Sequence, residues 1–153
     1  MRDKEKISKD DFQESLEDLI NKIGIKELNV EKDSLKTFCE LTHHNYSFYL
    51  ERNLIPQGYL MTFTIPLFTQ FFITASVDLI PKVIKGVIHT FSRIEYFGPF
   101  RMDQKYFGTM EMKNVAEKKG KMGEYFAVDF EILVSNDKGE KVASDVHQFF
   151  LRI

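Results

Sequence analysis

The segment from Ile55 to Pro81 reads IPQGYLMTFTIPLFTQFFITASVDLIP. It is the longest apolar run in the chain, and Asp78 is its only charged residue. A helix that is apolar all round either crosses a membrane or is enclosed by protein. The length suffices for a crossing. However, Thr62, Thr64, Pro66, Thr69, Gln70, Thr74 and Ser76 interrupt it throughout. That polarity argues against a membrane span and for a central helix held by a sheet. Pro66 lacks an N–H and clashes with the preceding turn, which predicts either a kink near Thr62 or a helix starting at Pro66 with Thr64 as its cap. Thr62, Thr69 and Ser76 lie seven residues apart, so they share one narrow stripe. Such a stripe either lets a sheet pack close or lines a ligand channel.

Downstream, the periodicity changes to that of strands. Val83 to Tyr96 is rich in β-branched and aromatic residues and reads as a strand. Gly98-Pro99 ends it. Lys105 to Val115 reads as a second strand, and Glu117 to Gly123 (EKKGKMG) as a hairpin turn with a solvated charge run. From Glu124 to Ser135 the alternation puts Phe126, Val128, Phe130 and Ile132 on one side and Asp129 and Glu131 on the other. Asn136-Asp137-Lys138-Gly139 is a turn, and Glu140 to Ile153 the last strand. Consecutive strands joined by short turns are expected to pair antiparallel.

Upstream, Met1 to Ile7 is charged and expected to fray. Ser8 and Asp11 resemble a capping box. Phe12, Leu16, Leu19, Ile20 and Ile23 then follow at helical spacing, with Gly24 as the stop. This amphipathic helix either docks one face on the body of the protein or meets a partner. Ile25 to Val30 is a connector. Leu35, Phe38, Cys39 and Leu41 suggest a second helix that breaks near His43. Tyr46 to Leu54 reads as loop or short helix. The expected organisation is an N-terminal helix and connector over residues 1–29 and a single domain over residues 30–153. The class is α+β: a curved antiparallel sheet wrapped around a long central helix, with an extra N-terminal helix. That is the hot-dog arrangement.

The 153 residues suit one domain, and 43% are hydrophobic, enough for a core. Fifteen Phe and six Tyr accompany no Trp. The net charge of −2 gives no electrostatic case for nucleic acid. Cys39 is the one cysteine, which excludes an internal disulfide and fits a reducing compartment. No apolar signal region opens the chain, so a cytoplasmic protein is expected. Cys39 reads as a buried, inert thiol. Adjacent His43 and His44 make a poor chelating pair, so no metal and no cofactor is expected. His89 and His147 fall in strands and read as packed or edge residues. Asp78 reads as a capping or solvated carboxylate.

Three stretches, EKDSLKTFCELTHHN, IPQGYLMTFTIPLF and EYFGPFRMDQKYFGTMEM, together resemble the MaoC-like branch of the hot-dog superfamily. Its members are (R)-specific enoyl-CoA hydratases and 3-hydroxyacyl-thioester dehydratases. The family's first helix carries a buried aromatic, matched by Phe38. It ends in a threonine–glycine–aspartate–x–asparagine–proline–x–histidine signature. Alignment on Asn45 puts Thr42 at the glycine, His43 at the catalytic aspartate, Tyr46 at the proline and Phe48 at the catalytic histidine. A one-residue slip puts His44 at the aspartate. The family's histidine–glycine pair reads Gln57-Gly58, and its arginine–phenylalanine strand motif reads Glu95, Tyr96, Pro99, Phe100, Met102 and Asp103.

The departures bear on chemistry. Hydration of an enoyl thioester needs a base for water and an acid for the α-carbon. Phe48 moves no proton, so the usual Asp/His dyad is missing, and only His43 or His44 remains there as a base. The resemblance further implies a binding set of Asn45, Gln57, Gly58 and Tyr59. Gly58 either presents its N–H to a thioester carbonyl at the helix's positive pole or serves a tight turn. Thr62 and Thr69, with Phe71 and Phe72, would line the acyl tail. The implied ligand is an acyl-CoA or acyl-carrier-protein thioester. The implied assembly is a homodimer, or a heterodimer with another hot-dog subunit. Three functions remain open. The first is an acyl-thioester-binding, dehydratase-like protein, such as the non-catalytic subunit of a dehydratase. The second is an active enoyl-CoA hydratase, 3-hydroxyacyl dehydratase or thioesterase. The third is a non-enzymatic dimeric scaffold.

Overall fold

A computed structural model describes residues 7–78, 84–121 and 123–153, apart from the side chain of residue 78. The expectations of a frayed Met1 to Ile7, of a strand beginning at Val83 and of a role for the Asp78 carboxylate lie outside what it describes, except at Ile7, which packs against the core.

The first helix, α1 (Lys9–Ile23), begins where the capping box was expected. The Ser8 hydroxyl accepts from the Asp11 N–H at 3.1 Å and donates to the Asp11 carboxylate at 2.7 Å. Gly24 ends it with φ 65°, a left-handed conformation that favours glycine. The face formed by Phe12, Leu16, Leu19, Ile20 and Ile23 is buried. A three-residue strand, β1 (Lys26–Leu28), follows, then α2 (Lys32–Leu41), the short α3 (Tyr46–Glu51), and a 3-10 turn over Gln57–Leu60. That turn leads directly into the central helix, α4 (Met61–Asp78). Helix α4 runs through Pro66 and does not begin there. Pro66 removes only the bond its N–H would have donated to the turn before it, and it stands on the exposed face of the helix, where water reaches the freed carbonyl.

Four long strands complete the chain: β2 (Gly86–Tyr96), β3 (Tyr106–Gly120), β4 (Gly123–Asn136) and β5 (Lys141–Arg152). With β1 they form one sheet in the order β1-β3-β4-β5-β2, antiparallel at every pairing. Two expectations are corrected here. Consecutive β2 and β3 do not pair; β2 crosses to the far edge and pairs with β5. The hairpin between β3 and β4 is also tighter than expected. Glu117, Lys118 and Lys119 remain in β3 opposite Phe126, Tyr125 and Glu124, and the turn lies between Gly120 and Gly123. The charges of that run are compatible with a strand whose outer face meets water. The second turn is as read: Asn136 Oδ1 accepts from the N–H groups of Lys138 and Glu140, and Gly139 takes φ 78°.

The concave face of the sheet holds the core. Phe126, Val128, Phe130 and Ile132 of β4 are all fully buried on it. The Phe12 ring of α1 stacks on Phe126 at 4.3 Å, and the Phe71 ring of α4 meets Phe130 at 4.8 Å. Helices α1 and α4 therefore share this face. Closest approach occurs at Gly108 on β3, where an added Cβ would lie 2.9 Å from Leu67 Cδ1 and 3.3 Å from Leu28 Cδ1. On the opposite face, Lys113 pairs with Glu131 at 2.6 Å, Ser144 donates to Glu131 at 2.5 Å, and Gln148 donates to Asp129 at 2.8 Å.

The sheet covers only one side of α4. Phe63, Thr64, Leu67, Phe68, Phe71 and Ala75 are buried, whereas Met61, Ile65, Ile73 and Val77 are 45–71% exposed. By length and composition the segment Gln57–Val77 could cross a membrane, but its inner face is packed against its own sheet.

Gly108→Ala is expected to destabilise the fold by about 1–3 kcal/mol, the range for overpacking a tight core contact, read by urea denaturation; an unchanged midpoint would contradict the close approach. A second test concerns Glu131. Burial opposes its charge, but the Lys113 ammonium and the Ser144 hydroxyl outweigh burial and hold the carboxyl below its ordinary value. A depressed carboxyl contributes stability above its unfolded value and loses it as pH falls through the folded one. The stability gap between wild type and Glu131→Gln should therefore widen as pH rises through the carboxylate range. A gap independent of pH would count against the pairing.

Candidate functional site

The three motif-bearing stretches converge on the start of α4. The Tyr96 hydroxyl donates to the Gln57 carbonyl at 2.8 Å, and the Ile55 N–H donates to the Phe100 carbonyl at 2.9 Å. Leu54 bridges to Arg101, whose N–H and carbonyl both bond the Tyr106 hydroxyl. From the other side Phe38 of α2 meets the Tyr59 ring edge-on at 5.3 Å. An added Cβ on Gly58 would lie 3.4 Å from Phe38 Cζ. Tyr59 is itself buried, and burial pushes its phenol up, so it stays neutral.

His43 and His44 stand at the margin of this zone. His43 is exposed with φ 58°, in the turn that ends α2. His44 Nδ1 lies 2.7 Å from the Thr42 hydroxyl, and its ring sits near Phe38 and Tyr49. Asn45 caps α3, its Oδ1 accepting from the Phe48 N–H at 3.2 Å. Phe48 lies beneath the Arg52 guanidinium, 4.0 Å from the ring centre. No carboxylate bonds either histidine among the described residues. Cys39 is fully buried, and burial, reinforced by Glu40, pushes its thiol up. An undissociated thiol is a poor nucleophile.

The stripe along α4 divides. Thr62 donates to the Tyr59 carbonyl at 2.7 Å and holds the junction with the 3-10 turn. Thr69 and Ser76 line a groove of about 590 Å³ beside the helix. Its α4 wall also includes Met61, Ile65, Phe68, Phe72 and Ile73, and the sheet contributes His89, His147 and Phe149. The size falls within the ~300–1,000 Å³ typical of small-molecule sites. Neither His43 nor His44 lines it.

The histidines of that groove are the two read from the strand pattern as packed or edge residues. His147 Nε2 lies 2.8 Å from Asp145 Oδ1, and the Asp145 side chain is 1% exposed. The approach is off the line of a regular hydrogen bond, so neither atom has a well-aligned partner. His147 Nδ1 lies 3.0 Å from His89 Nε2, and the two rings stack at 5.0 Å. Asp145 and His147 are two apart on β5 and so share a face, the one signal for them in the sequence. His89 arrives from a strand 58 residues away.

No family model matches the sequence, and no curated protein matches it. Solved structures do. The ChsH1–ChsH2 complex from Mycobacterium tuberculosis is similar with a TM-score of 0.60 at 14% identity, over 92% of each chain. The HadBC (3R)-hydroxyacyl-ACP dehydratase complex of the same organism is similar with a TM-score of 0.56 at 16% identity, over 82% of this chain and 90% of that one. A Streptococcus mutans UA159 protein bound to acetyl-CoA gives 0.51 at 15% identity, over 83% and 78%. These are hot-dog proteins, and the chain has the hot-dog fold.

Gly58 does not occupy the left-handed region, and Phe38 Cζ is at ordinary contact distance from an added Cβ. Gly58→Ala should therefore leave stability within about 1 kcal/mol of wild type, measured by thermal unfolding. A larger loss would show that the turn itself requires glycine.

Proposed function

We propose that the chain is an acyl-thioester-binding hot-dog protein whose acyl tail lies in the groove along the open face of α4. The observation that carries this reading is the groove: a long apolar wall with Thr69 and Ser76 as its polar points, on a helix whose other face is packed. An apolar channel with few polar groups suits an alkyl chain, which gains from leaving water and needs only its head group recognised. The acetyl-CoA complex of a similar fold and the hydroxyacyl-ACP dehydratase complex support the ligand class. The carrier would sit at the start of α4, near Asn45, Gln57, Gly58 and Tyr59, with the thioester entering the groove from there.

The same face argues for a second subunit. Strand β2 is an edge strand, paired among the described residues with β5 alone. Ile65, Ile73 and Val77 of α4 are exposed, as is Val87 of β2, which pairs with Leu151 on the same face of the sheet. A second hot-dog subunit, identical or related, covers them and closes the groove.

Titration of acyl-CoA thioesters of increasing chain length by calorimetry tests this. Affinity should rise with each added pair of methylenes, by up to about 0.8 kcal/mol per buried CH₂, and fall at least tenfold in Ile65→Glu. Equal affinity for CoA and acyl-CoA, or no binding at all, would contradict the reading.

A further inference from the structure

We infer that Asp145, His147 and His89 form a proton relay that makes the α4 groove a hydrolytic site for acyl thioesters, with His89 as its base. This rests on the acyl-thioester reading above and places catalysis away from the segment holding His43 and His44.

The direction of the relay follows from the hydrogen bonds. His89 Nε2 lies 2.9 Å from the Phe91 carbonyl oxygen, which can only accept. That nitrogen therefore carries a proton. It also faces His147 Nδ1 at 3.0 Å, so His147 Nδ1 is an acceptor. Neutral His147 then holds its proton on Nε2, which is the nitrogen facing the Asp145 carboxylate at 2.8 Å. A single backbone carbonyl thus fixes both tautomers. The one ring nitrogen of the pair left with a free lone pair is Nδ1 of His89, an exposed residue lining the groove.

Position supports the same assignment. Register shifts between His89 and Phe91 where β2 pairs with β5, and a bulge there re-aims the strand. His89 is brought opposite Phe149 and stacks on His147 instead of following the regular pleat. Phe68 covers His147 at 4.2 Å, and Phe149 lies 4.9 Å from the His89 ring. The relay is therefore walled by aromatic rings on the inner side and open to the groove at His89. A buried carboxylate is costly unless a charge compensates it. An imidazolium formed at His89 supplies that charge through His147, and the carboxylate in turn stabilises the imidazolium.

In the reaction, His89 Nδ1 accepts a proton from water as the water oxygen bonds to the thioester carbonyl carbon. The tetrahedral intermediate collapses, the carbon–sulfur bond breaks, and its electron pair leaves with sulfur. The proton on His89 passes to the thiolate. The products are a carboxylic acid and a free thiol. One group that takes and returns a single proton is sufficient, because a thiolate leaves readily. His89 is the catalytic residue; His147 and Asp145 are positioning residues that hold its ring and balance its charge.

The test measures acyl-CoA binding and thiol release on the same full-length protein. Wild type should release thiol, and kcat should fall about 100-fold or more in His89→Gln and in Asp145→Asn, the usual span for a general base, with KM little changed. Imidazole added to His89→Ala should restore part of the lost release, a rescue that a structural role would not produce. Binding without thiol release, release unaffected by His89→Gln, or consumption of an enoyl thioester without thiol release would each overturn the relay alone. Absence of acyl-CoA binding would overturn the acyl-thioester reading and the relay together.

Discussion

The structure depends on one packing contact: the apolar stripe of α4 seated on the concave face of the sheet. Phe71 on Phe130 and Leu67 over Gly108 set how deep the helix lies. Each such side chain contributes about 1.5–3 kcal/mol when removed from water, so the stripe is a large share of a marginal total. A helix resting in a curved sheet can be covered on one side only by a single chain. What makes α4 a core element therefore also leaves Ile65, Ile73 and Val77 facing outward. The groove is a direct consequence of the packing that builds the core.

That half-coverage explains where polar chemistry appears. The floor of the groove is made by β5 and the edge strand β2, and on these strands sit Asp145, His147 and His89. Ionisable groups beside aromatic rings interact more strongly than they would in water. The bulge after His89 turns an edge residue toward the helix, and a single carbonyl then orders the tautomers of both rings. The start of α4, by contrast, is held by backbone and hydroxyl bonds from Tyr96, Phe100 and Tyr106. It is an anchor for the helix, with its exposed histidines at its edge.

Much of the fold was legible because the signals were local. Ser8, Asp11 and Gly24 bound α1 through their own side chains and backbone. The alternation of Phe126, Val128, Phe130 and Ile132 with Asp129 and Glu131 separated core from surface on β4. Of the two readings of Pro66, the helix start is excluded, because α4 runs from Met61 through it. The path of β2 to the far edge of the sheet was illegible, because pairing partners are chosen by tertiary contact and not by order along the chain. The Asp145–His147–His89 cluster was illegible for the same reason: its closing contact joins two strands 58 residues apart, and a bulge decides it. His43 and His44 drew notice through the alignment on Asn45, and neither lines the groove.

Hydrogen exchange with and without a long-chain acyl-CoA tests the central claim most directly. Because exchange reports local opening residue by residue, it locates both the packed helix and the bound tail in one experiment. The account predicts slow exchange in α4 from Phe63 to Ala75 without ligand, and added protection on binding along α4 and around His89 on β2. Fast exchange throughout α4, or protection confined to the turn at His43 to Asn45, would contradict it.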